Sequence, residues 1–236
     1  MSVRIDDKMT PVTAEELFVA LWRAWINMFD CPPTKDSIML MVSQWAFETG
    51  WGQSMHCFNL GNAKSKDGDG RDFCFFECGE ELPVAEAEKW VAAAPTLVTI
   101  KHVYVVKGVT QASVHVKPDH PAARFRAYST LEEGAADYLA MLRRNFAVAW
   151  PSLQAGDPVG FVRAVKQAGY FTGSGSIYEA GVRSIFLRLH TTLKIDTDSL
   201  PVLSDEHARR VMDLVALNLQ ESVDEMPKGE TEKEDE

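Results

Sequence analysis

The sequence predicts a mainly α domain of the α+β class, with a small β-hairpin lobe beside a helical body. Two observations carry this. Helix-start signals recur along the chain, each followed by apolar residues three and four apart. Only one stretch, Thr96 to Lys117, has the branched composition of a strand pair. With 236 residues and 46% hydrophobic content, the chain is long enough for one substantial domain with appendages. It shows no internal repeat.

Taken in order, Thr13-Ala14-Glu15-Glu16 is a capping box, and Leu17, Leu21, Trp25 and Met28 follow at helical spacing. Pro32-Pro33 stops that helix and Thr34 opens the next. Along it Ile38, Met41, Val42 and Trp45 mark an inward side, and Gly50 supplies a left-handed C-terminal cap. Lys64 to Phe73 is turn-like and reads as a flexible loop. Its Asp-Gly-Asp-Gly start resembles a calcium loop but lacks the downstream bidentate acid. Val84 to Ala94 forms a short helix. Thr96 to Val106 then pairs with Gln111 to Lys117 across Lys107-Gly108-Val109-Thr110. Thr130-Leu131-Glu132-Glu133 opens a helix to about Phe146, and Asp157-Pro158 begins another that Gly169 ends. Ser176-Ile177-Tyr178-Glu179 caps the next, with Val182, Ile185 and Leu189 facing inward. Asp196 to Ser204 reads as a linker, and Ser204 to Leu219 as a last amphipathic helix.

The chemistry concentrates in Ser43-Gln44-Trp45-Ala46-Phe47-Glu48-Thr49-Gly50-Trp51-Gly52-Gln53 and in Phe58-Asn59-Leu60-Gly61. Glu48 falls one turn beyond Trp45, at the negative end of a helix dipole and among apolar residues. Both conditions disfavour the ionised form, which is how a general acid is made from glutamate. Aromatic faces suit pyranose rings, and amides suit hydroxyl or acetamido groups.

This stretch resembles the glucosaminidase domain of bacterial flagellar muramidases, autolysins and phage lysins, in which an alanine-rich helix ends in Glu-Ser/Thr-Gly-Trp-Gly before an Asn-Leu-Phe-Gly-like segment. Two further blocks are similar and in the same order: Ala123 to Glu133 running into Asp137-Tyr138-Leu139, and Ala168-Gly169-Tyr170-Phe171-Thr172 with Ser176-Ile177-Tyr178 behind it. The resemblance spans roughly residues 13 to 192, with an atypical insert at 65–95. It implies a lysozyme-like domain over 13–193, preceded by an arm (1–12) and followed by a linker and helix (194–220) and an acidic tail (221–236). It also implies cleavage of β-1,4 links in peptidoglycan by an endo-N-acetylglucosaminidase. Glu48 would be the general acid, Tyr170 the family's functional tyrosine, and Trp51, Phe58, Asn59 and Tyr178 the sugar contacts. A muramidase or lytic transglycosylase on the same fold is the nearest alternative. A catalytically inactive wall-binding part of a phage tail or secretion machine is the rival of another class.

The chain departs from the family at the hairpin, where the second acid is expected: Trp90 to Pro118 contains no Asp or Glu. Asp67, Asp69, Asp72, Glu77, Glu80, Glu81 and Asp119 are the substitutes, and His102 and His115 the possible bases. Otherwise the substrate's own acetamido group attacks, steadied by Tyr170, and Glu48 alone is essential.

Net charge is −10, of which Glu221 to Glu236 holds −6. No basic stripe exists, so no nucleic-acid partner is expected, and no apolar run is long enough to span a membrane. The charged N-terminus lacks an apolar signal core. The expectation is therefore synthesis in the cytoplasm and action on the wall after release or delivery, with the C-terminal helix docking on a tail or secretion machine. His56, Cys57, Cys74 and Cys78 can be read as zinc ligands, but the spacing is not a familiar finger. Reduced thiols, with no metal or cofactor, are expected.

Overall fold

The computed structural model describes residues 2–29, 32–106, 108–171 and 174–200, together with 209, 213 and 216. The expected Ser204–Leu219 helix and the acidic tail lie outside them, apart from those three residues. The described chain is α+β and mainly helical. α1 (Ala14–Met28) and α2 (Lys35–Thr49) start at Thr13 and Thr34, each closing a capping box. α4 (Leu131–Asn145) starts at Thr130, whose side chain accepts from the Glu133 amide. α5 (Trp150–Gln154) and α6 (Pro158–Gln167) follow, the latter capped by Asp157. α7 (Gly175–Thr192) begins at Ser174, not at Ser176, whose hydroxyl instead pairs with that of Ser174 at 3.0 Å.

α2 is the central helix. Every residue from Ser37 to Ala46 is buried, with α1, α5 and α7 packed around it. An apolar stripe on one side therefore understates this helix, which is apolar nearly all round because it is enclosed. Among the described residues no helix is long and apolar enough to cross a membrane.

The β lobe is larger than a hairpin. β3 (Val98–Val106) and β4 (Val109–Val116) pair as expected, but β2 (Cys78–Pro83) pairs with the other side of β4, giving an antiparallel order β2-β4-β3. α3 (Val84–Ala93) covers this sheet through a small core of Ala87, Val98, Ala112, Val114 and Val116. A second pair joins β1 (Phe73–Phe75) to β5 (Arg124–Arg126). The 65–95 insert thus supplies two strands and a helix to the lobe. Its first turns are also tied down: Asp69 accepts from the amides of Lys66 and Arg71 at 3.0 Å each, and Asp67 is ion-paired to Arg124. β2 escaped the sequence reading because Cys-Gly-Glu-Glu-Leu-Pro has few strand formers. Its pairing with the apolar edge of β4 overrides that low propensity.

The sequence boundary at 193–194 falls inside the packed body. Leu193 is buried, Ile195 and Leu200 pack against the helical core, and Lys35 Nζ donates to the Ile195 carbonyl at 3.1 Å. The N-terminal arm is likewise engaged, with Ile5 N donating to Phe73 O at 2.7 Å and Cys57 N to Lys8 O at 2.9 Å.

Candidate active site

The end of α2 is shaped by three successive left-handed residues, Gly50 (φ 57°), Trp51 (φ 62°) and Gly52 (φ 79°). Gly50 and Gly52 accept this at no steric cost, whereas Trp51 carries about 1–2 kcal/mol of strain. A Cβ on Gly52 would also lie 2.7 Å from the Trp45 indole, so the second glycine is where the turn folds back against the core. Thr49 ties the turn down: its hydroxyl donates to Trp45 O at 2.7 Å and accepts from Gly52 N at 2.8 Å.

This turn leaves Glu48 exposed at the rim, not on the buried side of α2 as its spacing from Trp45 suggested. Its surroundings are nonetheless built. Tyr178 Oη, from α7, donates to Glu48 Oε1 at 2.5 Å. Gln44 Nε2 donates to that same phenol at 3.2 Å, and Tyr138 Oη, from α4, donates to Gln44 Oε1 at 2.6 Å. Every donor in this chain points toward Glu48. Tyr178 is wedged between the edge contact of Phe47 (4.8 Å) and the stacked face of Phe171 (3.9 Å, 7°). Phe47 fits only because residue 181 is glycine; a Cβ there would lie 2.1 Å from the ring.

Tyr170 follows the left-handed Gly169 (φ 83°) that ends α6, and its ring meets Phe146 at 5.0 Å. Its hydroxyl has no hydrogen-bond partner among the described residues. Burial first, then the neighbouring Glu48 charge, pushes the Tyr170 and Tyr178 phenols up from their ordinary range. Tyr138 is raised by burial and by the nearby phenols and Glu48. All three therefore remain protonated donors at neutral pH.

The structure thus brings Glu48, Tyr170 and Tyr178 together, but with altered roles. Tyr178, expected as a sugar contact, is buried and holds the acid. Asn59 is also buried and fully committed: Nδ2 donates to Ala63 O and Arg126 O, and Oδ1 accepts from Ala63 N. It fastens the loop after the turn and offers no amide to a ligand. Phe58 lines a separate groove with Val12, Val19, Arg23 and Leu131. Trp51 is 36% exposed, with the Arg188 guanidinium 5.2 Å from its ring centre. Gln44 and Tyr138 were missed. The signal for Gln44 was present: it precedes Glu48 by four residues, hence lies on the same side of α2.

The acids proposed to replace the missing hairpin carboxylate, Glu77 excepted, are bound within the lobe or arm. Asp72 accepts from Val3 N at 2.9 Å, Asp119 pairs with Arg4 at 2.8 Å, and Glu80 pairs with Lys64 at 2.6 Å. Glu81 accepts from Tyr104, and Glu77 lies 3.7 Å from His115; Asp67 and Asp69 are bound as described above. His102 is exposed on β3.

The second sequence block is a structural hub. Arg126 donates to both oxygens of the buried Asp137 at 3.1 and 3.0 Å, and Tyr128 Oη adds a bond at 2.5 Å. Arg71 approaches the same carboxylate at 3.6 Å. These pairs join β5 to α4 and so fix the lobe against the helical body. No family model matches the chain, and no curated protein or solved structure matches it either.

Proposed function

We propose that the chain is a lysozyme-like peptidoglycan hydrolase of the endo-N-acetylglucosaminidase type, with Glu48 as general acid. One observation carries this reading. An exposed carboxylate at a helix C-terminus, where the dipole is unfavourable to it, is held through one oxygen by a buried, unidirectional hydrogen-bond chain. Helix-end glutamates that serve only solubility need no such support. Oε1 receives the Tyr178 phenol, while Oε2 has no partner among the described residues and is the oxygen that would protonate the glycosidic leaving group. Tyr178 then stabilises the carboxylate left behind, a charge that exists only once the proton has moved.

The acetamido-assisted form of the reaction fits the remaining groups better than a second carboxylate. The hairpin has no acid, the substitute acids other than Glu77 are engaged elsewhere, and the uncommitted Tyr170 hydroxyl lies close enough to Glu48 to feel its charge. Trp51 is the surviving candidate for a sugar platform. The same one-acid arrangement supports a second reading, a lytic transglycosylase. Mass analysis of digested, purified peptidoglycan separates them. Reducing N-acetylglucosamine ends are expected; reducing muramic acid ends or anhydro-muramic ends would move the assignment to a muramidase or a transglycosylase. No cleavage at all would support the inactive wall-binding role.

A further inference from the structure

Away from the Glu48 site, three elements meet at one point. The arm crosses both the loop after α2 and β1: Thr10 N donates to Met55 O at 3.0 Å, and Phe73 N donates to Val3 O at 3.0 Å. This crossing places Asp7 beside Cys57 and Cys74, with one ligand atom of each within 4.8 Å of the others. Both cysteines are buried, against Phe76, Phe125 and Ala127, while Asp7 is exposed and leaves a route in from solvent. His56 Nδ1 lies 2.6 Å from Asp7 Oδ1, and its ring is fixed by stacking on Phe76 at 4.2 Å.

We propose that Asp7, Cys57 and Cys74 bind a thiophilic divalent cation, zinc by preference, with His56 orienting the Asp7 carboxylate and water completing the shell. Bonds of about 2.3 Å to sulfur place tetrahedral sulfurs roughly 3.8 Å apart, so the donors need only a small closure. Soft thiolates select zinc over magnesium or calcium, and a ligating carboxylate is ordinarily hydrogen-bonded in turn, as Asp7 is by His56. Binding exchanges both thiol protons, released to solvent, for metal–sulfur bonds. Cys78 is not part of the set, since its thiol faces Lys64, Glu80 and the Ala122 carbonyl. The consequence is a clamp. It would pin the arm and β1 to a loop holding Cys57 (φ 46°) and Phe58 (φ 53°) in left-handed conformations that non-glycine residues adopt at a cost.

The inference does not depend on the hydrolase reading, and its test has no activity readout. Full-length protein, reduced and stripped by a chelator, is titrated with Zn²⁺ against a chromophoric indicator and with Co²⁺ in the near ultraviolet. One zinc per chain and a thiolate-to-cobalt charge-transfer band are expected. Cys57→Ser and Cys74→Ser should abolish both, and Cys78→Ser should change neither. Asp7→Asn, at an exposed position that leaves folding intact, should weaken zinc binding by on the order of tenfold or more. Failure to bind zinc stoichiometrically, or binding undiminished by Asp7→Asn or by Cys74→Ser, would overturn the site.

Discussion

Replacing Tyr178 by phenylalanine isolates the hydroxyl that links Glu48 to the protein interior. The substitution keeps the ring between Phe47 and Phe171 and removes two bonds, the donation to Glu48 at 2.5 Å and the acceptance from Gln44 at 3.2 Å. A hydrogen bond to a charged group is worth about 1.5–3 kcal/mol. If that bond acts mainly on the carboxylate formed as the proton leaves, its loss raises the barrier by the same amount. At about 1.4 kcal/mol per decade, turnover should fall between about tenfold and a hundredfold, with KM little changed. Stability should also fall, because Gln44 is fully buried and its amide loses its acceptor, at about 1–3 kcal/mol. The two effects separate in a triple variant, Tyr138→Phe, Gln44→Leu and Tyr178→Phe, which removes the three buried polar members together and keeps Glu48. Urea denaturation should show much of the stability restored, while turnover on purified peptidoglycan stays low. Full turnover in folded Tyr178→Phe would refute the reasoning and leave the phenol as packing.

Three further outcomes follow from the same structure. Asp137→Ala removes the carboxylate that pairs with the buried Arg126 guanidinium and should cost about 3–5 kcal/mol in urea denaturation, loosening the lobe from the helical body. Truncation after Thr192, which deletes the buried Leu193 together with Ile195, should lower the melting temperature by several degrees. In steady-state kinetics on a defined glycan chain, Tyr170→Phe should reduce turnover more than alanine at Asp69, Asp72, Glu77 or Asp119. An inactive variant among those acids would reveal a second catalytic carboxylate.

Local signals carried the helical body well, because capping residues act within a single turn. Thr13, Thr34, Thr130 and Asp157 all stand at helix starts, Gly50 takes the left-handed conformation read for it, and Gly169 stands at the helix end read for it. Features that depend on distant partners were not legible. β2 is a strand because β4 offers it an edge, and Asp67 and Asp69 hold a turn in place of a flexible loop because Arg124 and local amides meet them. The site divides in the same way. Glu48 stood out from its own neighbours in sequence, yet its exposure follows from the Gly50–Gly52 reversal. Tyr178 and Tyr138 acquire their roles only when α7 and α4 pack on α2. Asn59 was misassigned because an amide suited to a sugar is equally suited to closing a loop, and burial decides between the two.

The central claim, that Glu48 transfers the proton in glycan cleavage, is tested most directly by Glu48→Gln. This variant preserves the side chain's shape and can still accept from Tyr178, but has no proton to give. Release of soluble fragments from purified peptidoglycan should fall by on the order of 10²- to 10⁴-fold, with the denaturation profile unchanged because the side chain is exposed. Near-normal release by the folded Glu48→Gln protein would contradict the account.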